Sequence, residues 1–222
     1  MTKVTRIVVV PNLVLTKRKY MVLRELTEIY GKLLIEAVDY ALRNYIKSFT
    51  GLKKHLYRRF RNRYPQLPSH YIHTICQDAC TRVKSFIEKR VEELIEEIVE
   101  EFERHCHIRL SKLSREERNQ IYRVTRKIAR YQVEREMQDR VARVKRISIW
   151  LDDHLWKPPG HTTIKVATHK GWVVIGLEPH KLFWKYINSN WKLRTQPRIK
   201  LNDKERRIYI YFVFEKVLIP RA

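Results

Sequence analysis

The residues Thr2 to Val10 are rich in β-branched side chains and end at Pro11, and no strand-like segment follows them until Ile147. A lone strand is not stable in water without a partner ladder and an apolar face to bury, so this one must pair with strands near the other end of the chain. Everything between them then becomes an insertion. That single constraint predicts an α+β chain in which residues 1–15 and 147–222 form a small antiparallel β-barrel and residues 16–146 form an inserted, all-helical lobe.

The helical part is legible from its apolar period. Leu23, Leu26, Tyr30, Leu33, Leu34, Ala37, Val38, Ala41, Leu42 and Tyr45 recur at spacings of three and four, and Thr50-Gly51 closes that helix. A shorter basic helix follows and is stopped by Tyr64-Pro65-Gln66-Leu67-Pro68. Ser69 is the expected cap of a helix running to about His107. Ser114-Arg-Glu-Glu117 has capping-box spacing and opens another helix over 115–146, with Ile121, Val124, Ile128, Tyr131, Met137, Val141 and Val144 as its stripe. Residues 88–146 are therefore expected to form an extended antiparallel helical hairpin, acidic against basic. Late strands are expected at 147–151, 161–168, 171–177, 197–201 and 206–217, with turns at His169-Lys170-Gly171 and at Asn202 to Glu205, and a short helix over 179–187.

Charge constrains function. The chain carries 47 Lys+Arg against 24 Asp+Glu, a net +23. Residues 88–103 alone hold eight Glu and two basic residues, which leaves +29 for the remainder. Such self-repulsion favours a polyanionic partner, most directly nucleic acid. From Lys53 to Tyr64 there are six basic residues, three aromatics and no acid. Lys53, Lys54, Arg58, Arg59, Arg61 and Arg63 suit phosphates, and Tyr57 and Tyr64 suit stacking on unpaired bases. At the start of the next helix, His70, Tyr71, His73, Thr74 and Gln77 are candidates for reading base edges. Lys192, Arg194, Arg198 and Lys200 form a second basic strip among the late strands. Trp150, Trp156, Trp172, Trp184 and Trp191 also fall there, most of them as core.

Other chemistry is poorly provided for. Three Cys make no disulfide framework. Cys76 and Cys80 would lie about 45 Å from His105-Cys106-His107 on a straight helix, too far to share zinc, so buried free thiols are expected. Asp152-Asp153-His154 has a nuclease flavour but reads as turn or cap residues. Neither a Gly-rich phosphate loop nor a nucleophile signature is present, so no catalytic residue, metal or cofactor is expected. No run of 18 apolar residues exists to cross a bilayer, and the N-terminus lacks signal-peptide character, which predicts a cytoplasmic protein without a membrane partner.

Several segments carry a resemblance when taken in order: Ser69-His-Tyr-Ile-His-Thr-Ile-Cys-Gln-Asp-Ala-Cys80, Lys84-Ser-Phe86, Ile149-Trp-Leu-Asp-Asp-His-Leu-Trp-Lys157, Trp191-Lys-Leu-Arg194 and Tyr211-Phe-Val-Phe-Glu-Lys216. Together they resemble the N-terminal half of archaeal TnpB proteins, transposon-encoded RNA-guided nucleases. The resemblance implies a wedge-type barrel and a recognition lobe that bind guide RNA scaffold and target-adjacent DNA, with Lys84 among the contacts. It also implies a following or separate RuvC-like nuclease domain with a zinc ribbon, of which the residues up to Ala222 contain nothing. On that reading the chain is either an excised fragment or a natural product without the catalytic half. The hairpin 88–146 departs from the family pattern. Alternatives are a freestanding DNA-binding, architectural or repressor protein of a mobile element, a small metal-dependent nuclease using Asp152 or Asp153, and a protein-interaction scaffold centred on the hairpin.

Overall fold

The computed structural model describes residues 2–160, 162–194 and 196–218. His161, expected in a strand, and Ile219–Ala222, where the expected nuclease domain would follow, lie outside them. The chain is α+β, with β1 (Thr2–Pro11), α1 (Lys17–Arg43), α2 (Phe49–Arg63), α3 (Ser69–Cys106) and α4 (Arg115–Gln138) in order. They are followed by β2 (Ile149–Trp150), β3 (Trp156–Gly160), β4 (Thr163–Thr168), β5 (Gly171–Gly176), α5 (Lys181–Ile187), β6 (Lys192–Leu193), β7 (Arg198–Asn202) and β8 (Arg207–Leu218).

β1 pairs antiparallel with β8 along its whole length, from Thr2 opposite Leu218 to Pro11 opposite Tyr209. Val8 and Val10 on β1 and Ile208, Ile210, Phe212 and Phe214 on β8 face the core, while Ile7 is left 62% exposed on the outer face. Phe183 of α5 packs on Phe212 at 5.3 Å, and Trp156 lies 6.3 Å from the same ring.

The strands do not close into the expected barrel. They form a five-stranded sheet in the order β1-β8-β7-β2, with β6 also on β8, and a separate sheet β3-β4-β5. The sheets meet where β1 ends. Leu13 donates its N–H to the Gly176 carbonyl at 2.9 Å, Glu178 donates to Pro11 at 2.9 Å, and Asn12 forms a single bridge with Leu177. Pro11 has no N–H and Asn12 turns its amide toward β8, so the ladder cannot propagate into β5. β3 was missed as a strand because of Pro158-Pro159; it is an edge strand with a register shift there, where missing N–H groups cost nothing.

The hairpin turns sit where expected, and α1 is fixed to both. Lys19 donates to the Val174 carbonyl at 3.0 Å and Glu25 bonds His169 and Lys170 of the β4–β5 turn. Tyr20 donates to Asp203 of the β7–β8 turn at 2.6 Å, and together with burial this pushes its hydroxyl up to about 12. The β4–β5 turn needs Gly171, whose φ of +96° an L side chain would resist.

Three boundaries differ from expectation. α1 ends at Arg43, not at Thr50-Gly51: Tyr45 takes a left-handed φ of 52°, with Tyr45 bonded to Leu42 and Ile46 to Ala41, a Schellman arrangement. Gly51 lies inside α2. α4 has its capping box but stops at Gln138 instead of 146, with Asp139 as its C-cap. The amide of Ala142 bonds Asp39 instead of continuing the helix.

By backbone proximity the chain divides into two compact units. The first comprises Met1–Leu34, Lys53–Asp78 and Val144–Ala222, and the second Ile35–Leu52 and Ala79–Arg143. In the second, α4 runs against the later part of α3, and Arg90 binds both Glu136 at 3.2 Å and Glu97 at 2.9 Å. Glu88 and Glu93 pair within α3, with Lys84 and Lys89, rather than with the arginines of α4. The buried face of α4 is Thr125, Ala129, Val133 and Met137. The predicted stripe is largely exposed: Val124, Ile128 and Tyr131 face solvent while the smaller Thr125 and Ala129 are buried.

Two measurements check this account. Asn12 is buried and its amide oxygen accepts the Ile208 N–H at 2.6 Å, so Asn12→Ala leaves a buried donor unpaired. The expected loss is about 1–3 kcal/mol, read in calorimetry as a melting temperature lower by roughly 2–4 °C per kcal/mol. Hydrogen bonds from Lys170 and then His169 hold the Glu25 carboxyl below its ordinary value of 4.5. A depressed carboxyl stabilises the fold above the unfolded value and loses that contribution as pH falls through it. Glu25→Gln is therefore expected to melt with a shallower acid dependence than the parent between about pH 5 and pH 3.

Candidate nucleic-acid interface

α2 is held by Leu52, Leu56 and Phe60, all buried at a spacing of four. Phe60 is thus core and offers no face to a base. The opposite side of the helix presents Lys54, Arg58, Arg59 and Arg63 to solvent. Arg61 is drawn inward, donating to the Leu67 carbonyl at 2.6 Å, where it fixes the connection to α3 and is not free for phosphate. Tyr64, at the end of α2, is half-buried.

α3 begins at Ser69, with Tyr71 donating its N–H to the Pro68 carbonyl at 3.0 Å, so the helix starts one residue before a Ser69 cap would place it. Tyr71 is fully buried. Its hydroxyl donates to the Ala167 carbonyl of β4 at 2.6 Å, and burial drives its pKa upward. Thr74 is also buried and donates to the Tyr71 carbonyl at 3.1 Å, so neither Tyr71 nor Thr74 reads a base as expected. Tyr71 seats the helix on β4. Gln77 is half-buried.

That seating aims His70 and His73 outward, beside the turn after β2. Asp152 organises this turn through Oδ1, which accepts the N–H groups of His154 at 3.0 Å and Leu155 at 3.1 Å. Its Oδ2 lies 2.7 Å from His70 Nδ1. Asp152 is therefore the turn residue the sequence implied, while Asp153 points away, 69% exposed, toward His154 Nδ1 at 2.9 Å. The His70 and His154 rings stack with centroids 3.8 Å apart and planes 18° from parallel. His73 lies 4.9 Å from His70 and 5.8 Å from Tyr57, and Lys53 sits over Tyr57 at 5.6 Å.

A continuous track of rings results: Tyr57, His73, His70 and His154, with Lys53 at one end. Partial burial first, then the charges of Lys53 and His70, keep the His73 pKa below its ordinary value, so this ring is neutral at neutral pH and suited to stacking or hydrogen bonding. His154 was missed as a member. Its signal was the adjacent Asp152-Asp153 pair, which drew attention to carboxylates rather than to the ring beside them.

The same cluster offers metal donors. His70, Asp152 and His154 can each direct one atom to within 4.8 Å of the others. Two imidazoles and a carboxylate suit a first-row transition ion better than Mg2+.

The other expected residues lie apart from this track. Arg198 and Lys200 share the outer face of β7 with Tyr211 and Tyr209 of β8, directly opposite in register, and Arg198 covers the Trp150 ring at 4.1 Å. Lys192 is exposed on β6, and Arg194 pairs with Glu215 at 3.4 Å. Trp172 is 48% exposed on β5 with Lys157 over its ring at 5.5 Å. Lys84, on α3, is in the second unit. α3 runs unbroken to Cys106, as the argument against shared zinc required. Cys76 and Cys80 are buried, with the Cys80 thiol pushed up to about 11 by burial, but Cys106 is exposed.

Residues 26–125 match the model of a family described as "Uncharacterized protein MJ0013 family". Over 231 aligned residues the chain is 27% identical to "Uncharacterized protein MJ0857" of Methanocaldococcus jannaschii, an alignment that covers 96% of this chain and 69% of that protein. The similarities lie with an archaeal group, and neither name refers to TnpB or a transposon. The family match takes in α2, all of α3 and the first turns of α4, including Tyr57, His70 and His73.

Proposed function

We propose that this chain is a nucleic-acid-binding module, similar in role to the wedge and recognition parts of TnpB, that holds structured RNA and contacts DNA beside a target. The observation that carries this reading is the ring track from Tyr57 to His154, flanked by the exposed cations Lys54, Arg58, Arg59 and Arg63. Rings in series take unpaired bases irrespective of sequence, and the cations take the phosphates between them. Arg198 and Lys200, interleaved with Tyr209 and Tyr211, repeat the same chemistry on the outer face of the sheet. The net +23 supplies the long-range attraction. A following or separate RuvC-like domain would do the cutting, in a protein of a mobile element.

A salt-titrated competition tests the proposal, using structured RNA from the adjoining genomic region, unrelated RNA of equal length, and duplex DNA. The cognate RNA is expected to win at raised salt. Tyr57→Ala and His73→Ala are each expected to weaken its binding by roughly 1–3 kcal/mol, about 5- to 150-fold. Equal binding to all three, erased by salt, would count against the RNA role. Preference for duplex DNA would favour a freestanding repressor or architectural protein.

A second reading rests on the donor set His70, Asp152 and His154: metal-dependent nucleic-acid cleavage at this turn. It predicts cleavage of single-stranded substrate by the purified chain with Mn2+, Zn2+ or Mg2+, abolished in His70→Gln and His154→Gln. Absence of cleavage with any of these ions would remove it.

A further inference from the structure

We infer that the exposed face of α4 is a second nucleic-acid site, one that takes a single strand, with phosphates on Arg123, Arg126, Lys127 and Arg130 and bases on Tyr122 and Tyr131. This rests on the reading of the chain as a nucleic-acid-binding protein but involves the other compact unit and none of the ring-track residues. Of these residues the apolar period of the sequence had placed only Tyr131 in the stripe expected to pack.

The first observation is exposure. Tyr131 is 64% exposed, and Val124 and Ile128 on its side of the helix are 53% and 43% exposed; Tyr122, 46% exposed, stands on the other flank of the basic row. A helix that buries Thr125, Ala129, Val133 and Met137 has left its larger apolar and aromatic side chains in water. Contiguous exposure of this kind marks a contact surface.

The second is charge. Residues 118–133 hold five basic side chains and no acid. The side chains of Arg118, Arg123, Arg126, Lys127 and Arg130 have no ion pair within 4.0 Å and no hydrogen bond among the described residues, although α3 in the same unit is rich in glutamate. A cation row left unneutralised in the presence of available carboxylates fits a polyanion and repels a basic or neutral protein face.

The third is shape. A groove of about 570 Å³ follows α4 past Tyr122, Arg123, Arg126, Lys127 and Arg130. It shares Arg126 and Arg130 with a neighbouring cavity of about 730 Å³ that reaches Lys84 and Tyr45. The floor of that cavity includes Ile87, Val91 and Ile95, and Glu88, Glu92 and Glu134 stand at its wall. Lys47, Lys84, Arg126 and Arg130 are balanced there by the three glutamates, so the cavity holds little net charge for a phosphate, whereas an uncharged base could stack on Tyr131 and donate an exocyclic amino group to a carboxylate. The backbone of the strand therefore belongs in the groove and a base in the cavity. Single strands are required, because paired bases cannot unstack into such a space.

Anisotropy titrations of a labelled single-stranded RNA, repeated across salt concentrations, test the assignment. The triple variant Arg123→Gln/Arg126→Gln/Arg130→Gln is expected to reduce the salt slope by about 2, at roughly 0.7 for each phosphate that is no longer neutralised. Tyr131→Ala is expected to weaken binding at least fivefold with little change in slope, in line with stacking losses of about 1–3 kcal/mol. All four side chains are exposed, so the melting temperature should not move, and a calorimetric control verifies that. Photo-crosslinking of 4-thiouridine RNA to the peptide containing Tyr122 or Tyr131 would support the site directly. If the parent chain binds and Tyr57→Ala weakens it, while the α4 variants bind like the parent with unchanged slope, the α4 site is overturned and the proposed function stands. If the parent binds no nucleic acid at all, the proposed function itself has failed. A parent that self-associates, and whose α4 variants become monomeric without any change in RNA binding, would assign the face to a second copy and overturn the proposal.

Discussion

The antiparallel ladder between β1 and β8 is the interaction on which the rest of the first unit depends. It brings together segments separated by about two hundred residues, and it orients Val8, Val10, Ile210, Phe212 and Phe214 into one core. Loop-closure entropy grows only logarithmically, by about 0.6 kcal/mol per doubling of length, so a long helical insertion is thermodynamically tolerable once a full ladder repays it. β7, β6 and, through β7, β2 then add to β8. The turn containing Asp152 and His154 follows β2 directly, so its position is inherited from that pairing.

The candidate interface shows how a surface is built from buried parts. Tyr71 and Thr74 are buried; Tyr71 fixes the first turns of α3 against β4 while Thr74 bonds back to its own helix, and this puts His70 and His73 on the outside. Asp152 uses one carboxylate oxygen to hold its own turn and the other to hold His70. Arg61 gives up its guanidinium to the connection between α2 and α3. Residues that looked like ligands from composition turn out to be supports, and the side chains they support are what meets a partner.

Much of this was legible in the sequence, for reasons of period and punctuation. The lone β-branched run at the start predicted pairing with late strands; Pro65 and Pro68 separated α2 from α3; Ser114 and Glu117 announced the α4 cap. What escaped has equally definite causes. A closed barrel was expected because sequence period carries no information about whether sheet edges meet, and here Pro11 and Asn12 end the ladder at the corner. Most of the stripe on α4 was assigned to the wrong face because apolar size was taken to mark the core, whereas the helix buries the smaller Thr125 and Ala129 beside Val133 and Met137. Thr74 carried no mark of burial, since a short hydroxyl is equally at home bonded to its own helix. The ring track could not be seen at all, because His154 lies far from His70 in sequence and ring stacking has no linear signature.

The β1–β8 ladder also sets an order of events during synthesis. β1 is made early and its partner only after about two hundred further residues, which at roughly 5–20 residues per second is a wait of about 10–40 s. Throughout that time a β-branched segment lacks its strand partner and offers its backbone to any other strand edge it meets. Lys3 and Arg6, exposed in the finished fold, place two positive charges on the waiting strand, and like charges on neighbouring copies hold them apart. Part of the basic character of this chain thus guards its own assembly, quite apart from any partner it later meets.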